Sequence, residues 1–127
     1  MNSGIIKTYE GNTMYLQNLM KGFTDADMML NTGESNTIGW IFGHIILYRG
    51  KVLERLHNQF HLLDKEQQFS RGAVKNKNIE MSFEESMAEF IDRGNQLETR
   101  LTEVTDEELK KAVEIKDLSI FYRDTLA

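Results

Sequence analysis

Residues 36–48 read Asn36-Thr37-Ile38-Gly39-Trp40-Ile41-Phe42-Gly43-His44-Ile45-Ile46-Leu47-Tyr48. From Ile38 onward the only positions that are not large and apolar or aromatic are Gly39, Gly43 and His44. A helix that is apolar on every side needs cover on every side, which places it in the middle of a bundle. The stretch is far shorter than the ~20 residues that span a bilayer. Beyond it, Val52, Leu53, Leu56 and Phe60 narrow to a stripe among charges. The helix predicted over 37–60 therefore enters a core at its N-terminal half and leaves it at the other end. Ser35 or Asn36 is placed to cap its start.

Upstream, Ile5, Tyr9, Asn12, Leu16, Leu19 and Phe23 recur at steps of three and four, with Ile6, Tyr15 and Met20 alongside. That period predicts a helix over about 4–23. Thr24-Asp25-Ala26-Asp27 sets a hydroxyl three residues before a carboxylate, a capping-box variant that opens a short helical turn through Met28, Met29 and Leu30. Downstream, 61–81 is a long connection rich in Lys, Gln and Asn, long enough for a crossover along a bundle. Ser82-x-x-Glu85 then forms a capping box, and Phe83, Met87, Phe90, Ile91, Leu97, Leu101 and Val104 carry a third helix over 82–104. Gly94 within it costs about 1 kcal/mol relative to Ala or marks a close helix approach.

The pattern then recurs. Thr105-Asp106-Glu107-Glu108-Leu109 echoes Thr24-Asp25-Ala26-Asp27-Met28. Laying Thr105 on Thr24 sets Phe121 on Trp40, so 117–127 matches only the opening turns of the 37–60 helix. The expectation is an all-α, single-domain four-helix bundle over 1–127, with a long crossover connection and an incomplete fourth helix. On that reading the chain is a fragment that stops inside a helix its core needs.

The 127 residues carry a net charge of −5, which disfavours nucleic acid or an anionic membrane as partner. Cysteine is absent, excluding disulfides, thiolate metal sites and a cysteine nucleophile. Proline is absent too, so no residue type here breaks a helix outright. No basic segment followed by an apolar core opens the chain, and a cytoplasmic location is expected. Neither a P-loop nor a G-x-G-x-x-G nor a G-x-S-x-G elbow occurs. Asp25/Asp27 and Asp106/Glu107/Glu108 sit at helix starts, where carboxylates favour the dipole, and read as caps rather than catalytic pairs. Lys65, Arg71, Lys75 and Lys77 read as a solvated loop.

Three histidines remain: His44, His57 and His61. On one straight helix His57 and His61 would lie roughly 140° and 100° around from His44, and about 20 and 25 Å along, so the three cannot share one ion. His57-x-x-x-His61 has the spacing of a ligand pair. Its charged surroundings near a helix C-terminus favour solvated imidazoles instead. His44 lies at the apolar end, where a polar ring needs a hydrogen-bond partner or a metal. Gly39 and Gly43 beside it mark either a tight helix crossing or a close-lying ligand.

The string Asn36-Thr37-Ile38-Gly39-Trp40-Ile41-Phe42-Gly43-His44, preceded by Phe23-Thr24-Asp25-Ala26-Asp27, resembles the DinB-like (YfiT-like) superfamily of metal-dependent proteins. The resemblance covers nearly the whole chain in order. It implies a four-helix bundle, commonly a homodimer. It also implies a divalent metal (Zn, Ni or Fe) held by three histidines, one in the Gly-His of the second helix and two in an H-x-x-x-H of the fourth. Activities implied are thiol-dependent transfer, with a low-molecular-weight thiol as co-substrate, or metal-dependent hydrolysis. Carried over residue by residue, only His44 transfers, as first metal ligand; the other two would lie beyond Ala127. Catalytic and substrate-binding residues are not identified by it, and the chain by itself is expected to be inactive. The rival expectation is a non-catalytic helical dimerisation or stress-response module without metal.

Overall fold

The computed structural model describes residues 3–31, 36–56, 60–70 and 81–113. Helix α1 spans Ser3–Leu19, α2 Asp25–Met28, α3 Ile38–Leu56, α4 Phe83–Glu103 and α5 Asp106–Val113. A 3₁₀ helix, Asp64–Phe69, lies in the connection between α3 and α4. Among the described residues there is no strand, and no helix is long and apolar enough to cross a membrane. The expected helix over 117–127 lies outside the described residues.

The order of contacts gives the topology. The Phe42 ring meets Phe90 with centroids 5.3 Å apart, Arg93 reaches the Ile46 carbonyl, and Arg100 reaches the Leu56 carbonyl. Partner numbers rise together, so α3 and α4 run parallel, which only a long crossover connection allows. Helix α1 runs the other way: Ile5 and Ile6 pack against the cluster that holds Leu56, Leu97, Leu101 and Val104, while Met20 belongs to the cluster of Phe42, Ile46 and Phe90. Its inward face is Ile5, Ile6, Tyr9, Thr13, Leu16 and Met20. Asn12 and Leu19, expected on that face, are exposed. At 100° per residue the inward stripe drifts around the helix, so a rigid spacing rule selects some wrong positions.

Boundaries move for local reasons. Helix α1 ends before 23 because Gly22 takes φ 85°, a conformation that ends helices and that side-chain-bearing residues rarely adopt. Helix α3 is capped by Thr37, whose Oγ1 accepts from Trp40 N at 3.1 Å, rather than by Asn36; Ser35 lies outside the described residues. Its described span runs to Leu56, whose carbonyl Arg100 Nε takes, and Phe60 is no longer helical. Thr24 and Asp27 bond each other's backbone N–H at 3.4 and 2.8 Å, and Thr105 and Glu108 repeat the box at 3.1 and 3.3 Å. Ser82 Oγ accepts from Glu85 N, but the Glu85 carboxylate faces Lys65 instead of closing the box. Asp25 Oδ1 accepts from Phe83 N at 2.8 Å, so this residue caps a helix other than its own.

Two arginines cross the α3–α4 contact reciprocally. Arg49 Nη1 donates to the Phe90 carbonyl at 3.0 Å, and Arg93 Nη1 to the Ile46 carbonyl at 2.8 Å; each accepts three residues before the opposite arginine. Each guanidinium also stands over the other's following glycine. A Cβ on Gly94 would lie 2.7 Å from Arg49 Nη1, and one on Gly50 would lie 2.6 Å from Arg93 Nη1. Gly94 therefore marks a close approach, but by a side chain rather than a backbone. Arg49 also lies 3.8 Å over the Phe90 ring centre. Burial lowers its guanidinium from the ordinary arginine value to about 10, against the pull of Tyr9 and Glu98.

Candidate functional site

On one side α3 faces α4 through Phe42, Ile46 and Leu53; on the other it carries Trp40, Gly43, His44 and Leu47. This second side is covered by the 3₁₀ helix. Phe69, 1% exposed, packs with Leu47 and Met81 and lies directly against Gly43. Two different elements thus cover two sides of the central helix, while Ile41 stays exposed, so the all-round apolar run is not covered on every side.

The last carbonyls of a helix have no partner within it. Here the two consecutive carbonyls of Gln68 and Phe69 are taken by side chains one helical turn apart on α3. Trp40 Nε1 donates to the Gln68 carbonyl at 2.9 Å, and His44 Nδ1 lies 2.7 Å from the Phe69 carbonyl. A carbonyl only accepts, so Nδ1 carries the proton, and in the neutral ring Nε2 holds the free lone pair. The half-buried His44 ring is stacked on Trp40 (4.9 Å between centroids, 16°) and flanked by Tyr48 (4.5 Å, 57°). Of the alternatives open for Gly43, the close neighbour is the Phe69 side chain. The Gly-His pair acts as a unit: glycine admits the ring of Phe69, and histidine donates to its carbonyl.

An imidazole that donates one N–H to a backbone carbonyl while leaving the other nitrogen unprotonated has the arrangement of a metal-ligating histidine. His44 fits one ligand position of a divalent ion in that respect. Among the described residues, however, no group of three or more His, Cys, Asp or Glu could hold an ion. His61 is exposed on a non-helical segment after α3, and His57 lies outside the described residues. The helical H-x-x-x-H face considered for these two is therefore not assembled by the described helix.

Behind the 3₁₀ helix lies an ion pair that the sequence reading missed. Glu66 and Arg93, each 1% exposed, meet at 2.5 Å between Oε1 and Nη1. Glu66 Oε2 also accepts from Leu63 N at 2.7 Å, and Arg93 Nε donates to Glu89 at 2.9 Å. A partial signal was the dipeptide Arg-Gly, which occurs at 49–50, 71–72 and 93–94, the first and last inside otherwise apolar faces.

Comparison with known proteins adds one positive result. A family model of the DinB superfamily matches residues 8–121, most of the chain. No curated protein and no solved structure matches. With the match running from α1 through both Thr-Asp helix starts and the Gly-His of α3, the chain belongs to the DinB superfamily.

Proposed function

We propose that this protein is a metal-dependent enzyme of the thiol-dependent transferase or hydrolase type, with His44 Nε2 as one ligand of a divalent ion such as Zn, Ni or Fe. The observation that carries the reading is the bond from His44 Nδ1 to the Phe69 carbonyl, which fixes the tautomer with Nε2 free to bind. The ion supplies Lewis acidity, lowering the pKa of a bound water or thiol toward neutrality. The chain's own part is to hold the ring: Trp40 and Tyr48 restrict its rotation, and Phe69 sets its proton. Remaining ligands come from outside the described residues. A homodimer, a low-molecular-weight thiol as co-substrate and a cytoplasmic location belong to the same proposal.

A second reading rests on the same bond. His44 and Trp40 together tie the connection to α3, which is a sufficient role for both in a helical module without metal. Elemental analysis after exposure to each ion and desalting separates the two. Measured on a longer form of the chain that carries the expected H-x-x-x-H, the enzyme reading expects metal in the wild type and its loss in His44→Ala. Equal metal in both removes His44 from the site, and a wild type that retains none favours the second reading.

A further inference from the structure

We infer that Glu66 and Arg93 are positioning residues for His44, acting through the 3₁₀ helix whose last carbonyl sets the ring's tautomer. The inference rests on the reading of His44 Nε2 as a ligand atom. The chain of contacts is continuous. Arg93 is anchored on α4 and donates to the Ile46 carbonyl of α3. It holds Glu66 Oε1, while Glu66 Oε2 holds the Leu63 N–H at the start of the 3₁₀ helix. That helix ends at Phe69, whose ring fills the space over Gly43 and whose carbonyl accepts from His44 Nδ1–H. Both ends of the six-residue element are thus fixed to α3 or α4, one by charge and one by the imidazole.

The pair's burial is what gives it this role. Removing two charges from water is costly, so a pair of this kind adds little net stability over well-packed apolar residues. What it does supply is direction: a carboxylate that must meet its guanidinium allows the 3₁₀ helix one placement, while apolar packing tolerates several. The Phe69 carbonyl must lie within hydrogen-bond reach of Nδ1 to hold the proton there. Outer partners that orient a ligating histidine change metal affinity by ~10- to 100-fold when lost.

The experiment uses ¹⁵N-histidine-labelled protein at a mildly alkaline pH, with the His44 signals assigned by their absence in His44→Gln. Glu66→Gln weakens the pair. Because a lone buried Arg93 charge can unfold the chain, the decisive variant replaces both partners, Glu66→Leu with Arg93→Met, so that neither is left as an unpaired buried charge. The expected result is wild-type helical circular dichroism together with a His44 nitrogen pattern moved from the pure Nδ1-protonated form to a mixture. Zinc titration of a longer form that carries the expected H-x-x-x-H should then show affinity ~10- to 100-fold below its wild type. A double variant that folds and keeps His44 wholly Nδ1-protonated overturns the inference. A longer wild type that is Nδ1-protonated and carries the H-x-x-x-H but binds no zinc overturns the metal reading instead, so the two failures are told apart.

Discussion

Gly43 lies against the ring of Phe69 so closely that a Cβ there would come within 2.5 Å of the ring's Cδ1 and Cε1. Phe69 is fully packed and cannot swing aside as an exposed side chain would. Gly43→Ala should therefore destabilise the fold by about 1–3 kcal/mol, although alanine is the better helix former. Gly11 in α1 has nothing within 4 Å of its would-be Cβ. There the same change should stabilise by roughly 0.5–1 kcal/mol. Urea melts of the two variants check the contrast; equal effects would mean that Phe69 does not press on α3.

Trp40 is the only tryptophan, and its ring is stacked on His44. Any ion on His44 Nε2 places a charge beside that indole. Adding Zn²⁺ or Ni²⁺ should change the Trp40 emission saturably, and His44→Gln should abolish the change. Emission that responds equally in both proteins would locate the binding elsewhere.

Asp25 ties α2 to the first turn of α4 by accepting from Phe83 N. Asp25→Ala should cost about 0.5–2 kcal/mol, the usual loss for a helix cap, measured by thermal or chemical denaturation. Asp25→Asn retains an accepting oxygen and should recover much of that loss. No destabilisation in the alanine variant would show that water replaces the bond freely.

Burial, reinforced by Glu10 and opposed by Arg49, raises the Glu98 carboxyl above its ordinary 4.5. The native state then keeps this proton to higher pH than the unfolded chain does. Between 4.5 and the raised native value, unfolding releases a proton, and stability falls as pH rises. The ionised group consequently opposes folding at neutral pH. Glu98→Gln should melt above the wild type at pH 7, with the gap closing once the pH drops below about 4.5, where the unfolded chain also holds the proton. A variant melting lower at pH 7 would mean that the attraction to Arg49 outweighs burial.

Much of the fold can be read from local pattern, because helices are built from nearby residues. The 3.6-residue period marks α1, α3 and α4, and a hydroxyl three residues before a carboxylate marks the starts of α2 and α5. The all-round apolar run around His44 placed α3 at the centre, and His44 itself stood out as a polar ring in that run. The family match agrees with the reading of its Gly-His string.

Partners across the molecule could not be read this way. The acceptor for His44 is a backbone carbonyl, a group every residue owns, so no side chain in the sequence distinguishes Phe69 from its neighbours. The 3₁₀ helix is too short to show a period, and Glu66 sits in a connection whose composition resembles solvated loop. Arg49 and Arg93 meet their acceptors only where the parallel packing of α3 on α4 brings each over the other's glycine. Local sequence fixes which segments become helices, since propensity and capping act within a few residues. Which buried charges pair, and which nitrogen of His44 keeps its proton, depends on atoms 25 or more positions apart meeting at hydrogen-bond distance, and only the folded chain decides that.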